Sequence, residues 1–119
     1  MKTSELIHLA LDWAVAKCEG VAVELYAGNF WADPHNIGRK WQWKPHADWA
    51  QGGPIIEREE ISLCREFSSG KVEWSAWTPA PIRDDAEAFG YGPTPLIAAM
   101  RCFVASKLGD DIDIPNELT

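Results

Sequence analysis

Between Leu6 and Cys18 apolar side chains recur at helical spacing, at Leu6, Leu9, Ala10, Trp13, Ala14 and Ala16, with Glu5, His8, Asp12 and Glu19 on the other face. This pattern predicts an amphipathic helix capped at its N-terminus by Thr3 and closed by Gly20, whose missing Cβ suits the left-handed backbone that ends helices. Val21, Val23 and Leu25 then alternate with Ala22, Glu24 and Tyr26, the period of a half-buried strand. From Ala27 to Gln51 the apolar period disappears, and Gly28, Asp33-Pro34, Asn36, Gly38 and Pro45 interrupt the backbone. The one element suggested there is a short strand at Arg39 to Trp43.

Gln51-Gly52-Gly53-Pro54 reads as a turn opening a short helix through Glu60, with Pro54 at the first helical position. Ile61, Leu63 and Phe67 alternate with Ser62, Cys64 and Glu66. After the four residues Ser68-Ser69-Gly70-Lys71, the run Val72 to Trp77 carries Val72, Trp74 and Ala76 on one face, so the two runs predict a hairpin. Thr78 to Pro93, proline-rich and without apolar period, reads as an exposed excursion. Thr94-Pro95 pairs an N-cap with a first-position proline, and Leu96 to Leu108 is a strongly apolar helix ended by Gly109. The acidic tail Asp110 to Thr119 is expected to lie along the surface or fray. The sum is an α+β fold: a small, mainly antiparallel sheet from Val21–Tyr26, Arg39–Trp43 and the hairpin, covered on one face by an N-terminal and a C-terminal helix.

The 119 residues fit a single domain, 1–119. Eleven Lys and Arg against eighteen Asp and Glu leave a net charge of -7, the wrong sign for gripping phosphate backbones, so direct nucleic-acid binding is not expected. No window approaches the roughly 20 apolar residues of a membrane span. Met1-Lys2-Thr3-Ser4-Glu5 lacks the build of a signal peptide, which points to the cytoplasm. Cys18, Cys64 and Cys102 are odd in number and far apart, so they predict reduced thiols, with Cys18 and Cys102 acting as small core hydrophobes. His8, His35 and His46 show no ligand spacing, and neither a metal nor a cofactor is expected.

Seven tryptophans is a marked surplus. Trp13 and Trp74 fall at core positions. Trp31, Trp41, Trp43, Trp49 and Trp77 suit either cover for the sheet or a stacking surface for a base-like ligand or a protein partner. Asp48-Trp49-Ala50-Gln51-Gly52-Gly53-Pro54 gathers a carboxylate, an indole, an amide and two glycines. That set reads either as a small recognition loop or as a tight turn with positive-φ glycines and Asp48 satisfying loop amides. Glu57 lies close by in sequence and with Asp48 offers an acid/base pair. Arg101 is the only charged side chain between Leu96 and Ser106 and needs a partner, so it either snorkels to water, pairs with a carboxylate such as Glu57 or Asp48, or meets an anionic ligand.

The run Asp48-Trp49-Ala50-Gln51-Gly52-Gly53-Pro54-Ile55-Ile56-Glu57-Arg58-Glu59 resembles the NinX family of tailed bacteriophages and prophages. So do Thr94-Pro95-Leu96-Ile97-Ala98-Ala99-Met100-Arg101-Cys102, Val104-Ala105-Ser106-Lys107-Leu108-Gly109-Asp110 and the opening Leu11-Asp12-Trp13-Ala14-Val15-Ala16-Lys17-Cys18-Glu19-Gly20. Val21 to Lys44 and Thr78 to Gly90 look individual to this chain, including the tryptophan-rich segment 27–47, and His46 stands where the family suggests a small hydroxyl residue. The resemblance implies a phage-encoded accessory protein of the host cytoplasm, neither a virion part nor a replication enzyme, from a family without an assigned activity.

The expectation that follows is a non-catalytic binding module that modulates a host component or counters host defence, its site centred on Asp48, Trp49, Gln51, Gly52, Gly53, Glu57 and Arg101. Its partner would be a host protein or a small anionic, nucleotide-like ligand, and an aromatic-rich edge also suits a homodimer. The alternatives are a sponge for a nucleotide-like signalling molecule and a small hydrolase with Glu57 or Asp48 as base. A further alternative is an inhibitor whose acidic surface, including Asp84, Asp85, Glu87 and the tail, competes for a basic partner.

Overall fold

The computed structural model describes residues 1–33, 36–79 and 88–118. Its main elements are α1 (His8–Glu19), β1 (Glu24–Tyr26), β2 (Asn29–Ala32), β3 (Trp41–Trp43), α2 (Trp49–Arg58), β4 (Ser62–Ser68), β5 (Lys71–Trp77), β6 (Phe89–Gly92) and α3 (Pro95–Leu108). The chain is α+β, as the patterning predicts. Its strands divide into two three-stranded antiparallel sheets, β1-β2-β3 and β4-β5-β6, where the sequence suggests one. The split arises because Asn29–Ala32 makes a strand of its own and completes a sheet before α2 begins.

Both hairpins turn on two left-handed residues. Ala27 and Gly28 (φ 54 and 78) join β1 to β2, and Ser69 and Gly70 (φ 52 and 78) join β4 to β5. Two consecutive positive-φ residues twist with the strands they connect, so the second hairpin closes in two residues and not in the expected four. The expected excursion Thr78 to Pro93 contains β6, which pairs with β5 from Trp74↔Gly92 to Trp77↔Phe89. Residues 80–87, with Asp84, Asp85 and Glu87, lie outside the described residues, as does His35.

Helix α3 is the centre of the fold. It lies across β4, β5 and β6 on one side and against α1 and α2 on the other. Two glycines permit the close approach to the sheet: a Cβ on Gly90 would meet the Ala98 carbonyl oxygen at 2.3 Å, and one on Gly92 would meet Ile97 Cγ2 at 2.8 Å. Leu96, Ala98, Ala99, Met100, Cys102, Phe103 and Val104 are buried there. Leu11, Ala14 and Val15 of α1 with Phe30, Ala32 and Trp43 of the first sheet extend the same hydrophobic cluster. Phe103 also takes the guanidinium of Arg58 and the ammonium of Lys107 over its ring, at 5.7 and 5.9 Å.

The helix ends follow the sequence in part. Thr94 Oγ1 accepts the Ile97 N–H at 3.1 Å at the start of α3, and Gly20 closes α1 in the left-handed conformation. Thr3 does not cap α1. A 3₁₀ turn (Thr3–Glu5) precedes the helix, Ile7 is the capping residue, and the Thr3 hydroxyl donates instead to the Gly109 carbonyl at 2.6 Å. The acidic tail is held to the N-terminus, with Ile112 N–H on the Met1 carbonyl and a bridge between Lys2 and Asp111.

Candidate functional site

Helix α2 begins five residues before Pro54. Asp48 caps it, its Oδ1 accepting the Ala50 N–H at 2.9 Å, which accords with a carboxylate satisfying local amides. Gly52 and Gly53 are helical, and neither takes the positive φ expected of a tight turn. Gly52 is required for another reason: a Cβ there would meet Leu96 Cδ2 and the Pro45 carbonyl oxygen, each at 2.7 Å, so its absence lets α2 seat on α3 and on the preceding loop. Gly53 has open space, and Pro54 falls in the helix interior.

Gln51 ties α2 to the first sheet. Its Oε1 accepts the Lys44 N–H at 2.7 Å and its Nε2 donates to the Gln42 carbonyl at 2.6 Å. Trp49, the first helical residue, stays 53% exposed, and Glu57 is exposed further along the same helix. Beside it, Arg58 makes a two-pronged pair with Glu19, and Lys107 Nζ lies 2.7 Å from Glu59 Oε1, joining the C-terminal ends of all three helices. Lys107 first, then Arg58, holds the Glu59 carboxyl below its ordinary range.

Arg101 meets no carboxylate among the described residues, where the sequence suggests Glu57 or Asp48. Its Nε donates to the Leu6 carbonyl at 2.8 Å and its Nη1 to the Tyr91 carbonyl at 2.7 Å, so it stitches α3 to the segment before α1 and to β6. Burial holds the guanidinium below its ordinary pKa, against the opposing pull of Glu73. Arg101 lines a cleft of about 260 Å³ with Lys2, Ser4, Phe89, Asp110 and Asp111, and none of the α2 residues takes part in it. The predicted site is thus distributed: Asp48 to Gly53 gather at the start of α2, Glu57 lies outward on that helix, and Arg101 faces a separate cleft.

The tryptophans divide as well. Trp43 is buried, its indole N–H on the Asp12 carbonyl at 2.9 Å, and Trp13 and Trp74 pack against the core. Trp31 is half-buried in a 460 Å³ groove with Glu24, Asp33 and Lys40. Trp77 is half-buried beside Phe89 and Tyr91 on the face of the second sheet away from α3, while Trp41 is exposed. Burial raises the thiols of Cys18 to about 11 and Cys102 to about 12.

One constellation escapes sequence reasoning. Asp12, expected on the polar face of α1, is 1% exposed; its Oδ2 lies 2.7 Å from His46 Nδ1 and its Oδ1 accepts the His46 N–H at 3.1 Å. The His8 ring, on a residue with φ 48, tilts against His46 at 5.6 Å between centroids. Desolvation by burial raises the Asp12 pKa in spite of the hydrogen bonds from His46 that lower it. The signal lay in Leu9, Val15 and Ala16, the apolar neighbours of Asp12 at helical spacing.

Among the described residues no three His, Cys, Asp or Glu side chains are arranged to hold a metal ion, and no helix is long and apolar enough to cross a membrane. No curated protein matches the chain. The family described as bacteriophage P22 NinX matches residues 2–107, running from the N-terminal strap beside Arg101 to the last turn of α3. The chain therefore belongs to the phage NinX family, a group of phage accessory proteins of unassigned activity.

Proposed function

We propose that the protein is a non-catalytic binding module with which the phage engages a component of the host cell. The observation that carries this reading is the state of Arg101, a half-buried cation held by two carbonyls, with no carboxylate partner among the described residues, at the wall of an open cleft. Two carbonyls and the longer-range pull of Glu73 offset the desolvation of this charge only in part, so an anionic group on a partner would add a direct countercharge. Trp49 adds an exposed indole on a second surface. Asp48 and Gln51 serve this module as supports, since their side chains are engaged in holding α2 in place.

The test is a competition between phages carrying the natural protein, Arg101→Gln and Trp49→Ala across a set of hosts, with folding of each variant checked by circular dichroism. Loss of fitness by a folded Arg101→Gln variant on at least one host supports the reading. Full fitness of both folded variants on every host overturns this site.

A further inference from the structure

The Arg101 cleft has a chemistry that narrows its occupant, and the inference rests on the binding-module reading. Nε and Nη1 of Arg101 are spent on the Leu6 and Tyr91 carbonyls, whereas Nη2 has no acceptor among the described residues. Nη2 is thus the part of the guanidinium left for the cleft that Arg101 lines. A guanidinium fixed on one edge and open on the other presents pre-oriented donors to an anion, with little rotamer freedom left to lose on binding.

The charges around it are more favourable than the net charge of -7 suggests. Lys2 lines the cleft with Arg101. Asp110 and Asp111 also line it, Asp111 lying 3.2 Å from the Met1 ammonium, and Glu73 acts on Arg101 from outside the lining. Phe89, 51% exposed at the start of β6, also lines the cleft. The volume of about 260 Å³ lies under the roughly 300–1,000 Å³ usual for drug-sized ligands, so it admits one ring system and not a dinucleotide.

We infer that this cleft binds a small organic anion, its carboxylate or phosphate on Arg101 and Lys2 and its planar ring against Phe89. The two sources of that chemistry are an aromatic acid and a mononucleotide.

The experiment is a titration of the full ¹⁵N-labelled chain at low salt with benzoate, with adenosine monophosphate and with inorganic phosphate, following backbone and Arg101 Nε–H resonances. The expected result is saturable shifts at Ser4, Phe89 and Arg101 with benzoate or the nucleotide, at least tenfold weaker with inorganic phosphate. Benzoate alone assigns an aromatic acid, and the nucleotide alone assigns a phosphate ligand. Phe89→Ala, which alters an exposed side chain, and Lys2→Gln are expected to weaken binding at least fivefold with the spectrum otherwise preserved. This second pair keeps the test open if Arg101→Gln fails to fold. Inorganic phosphate binding as well as the nucleotide contradicts the role of Phe89. Shifts from no probe, or shifts indifferent to both variants, overturn the inference. In that event the binding-module reading still stands or falls on the phage competition, which a protein partner would satisfy.

Discussion

His46 and Asp12 form a two-point clamp across the core: the imidazole Nδ1 lies 2.7 Å from one carboxylate oxygen, and the His46 backbone N–H reaches the other at 3.1 Å. The same residue of α1 offers its backbone carbonyl to the Trp43 indole. Asp12 thus fixes both the end of β3 and the loop that leads to α2, and through them the position of Asp48 and Trp49.

Removing the carboxylate should loosen this joint. Asp12→Ala leaves the His46 donors and the space around them without a partner, and is expected to destabilise the fold by about 3 kcal/mol. Urea denaturation followed by tryptophan fluorescence measures it. A loss of a few tenths of a kcal/mol would show that the clamp holds nothing.

The pH dependence has a definite sign. Burial raises the folded-state pKa of Asp12 above the ordinary 3.8, so the unfolded chain releases this proton first as pH rises. The contribution is therefore fully present below 3.8 and is lost as pH climbs through the folded value. The stability of the natural protein relative to Asp12→Asn should fall across that window. A difference that rises with pH there would mean that His46 pairing outweighs desolvation.

The glycines separate by what lies above them. Gly53→Ala, into open space within a helix, should stabilise by about 0.5–1 kcal/mol. Gly90→Ala brings a Cβ to 2.3 Å from the Ala98 oxygen and 2.5 Å from the Cys102 nitrogen. Both are backbone atoms of α3 with no room to retreat, so about 3 kcal/mol or more should be lost. Thermal melts of the two variants should move in opposite directions.

The thiols give a probe of packing that needs no partner. Cys64 is exposed, while burial takes Cys18 to about 11 and Cys102 to about 12. Iodoacetamide at mildly alkaline pH should modify Cys64 first and Cys102 only once the chain unfolds. Mass spectrometry of timed digests reads the order. Early labelling of Cys102 would contradict its place under β6.

What the sequence disclosed was chiefly local. Thr94-Pro95 and Gly20 announce helix ends through backbone chemistry that tertiary contacts do not overrule. The strand at Asn29 was hidden because its turn uses Ala27, which no turn rule flags as left-handed. The start of α2 was hidden because glycine and proline read as breakers, whereas packing against Leu96 and Pro45 rewards a helix at Gly52. Arg101 could be singled out as a cation among apolar neighbours, but its partners, the Leu6 and Tyr91 carbonyls, are backbone groups without a sequence signature. The Asp12–His46 clamp spans 34 residues and depends on which face of α1 is covered, information that lies in the assembled fold.

As the contact of a binding module, Arg101 decides whether a partner is held, which native mass spectrometry reads without a guess about the partner. C-terminally tagged protein, natural or Arg101→Gln, would be recovered gently from phage-infected and uninfected host cells. The expected result is a stoichiometric added mass on the natural protein after infection, either a few hundred daltons or a host polypeptide, reduced at least fivefold on a folded Arg101→Gln variant. Bare protein in every sample, or an added mass indifferent to Arg101, would contradict it.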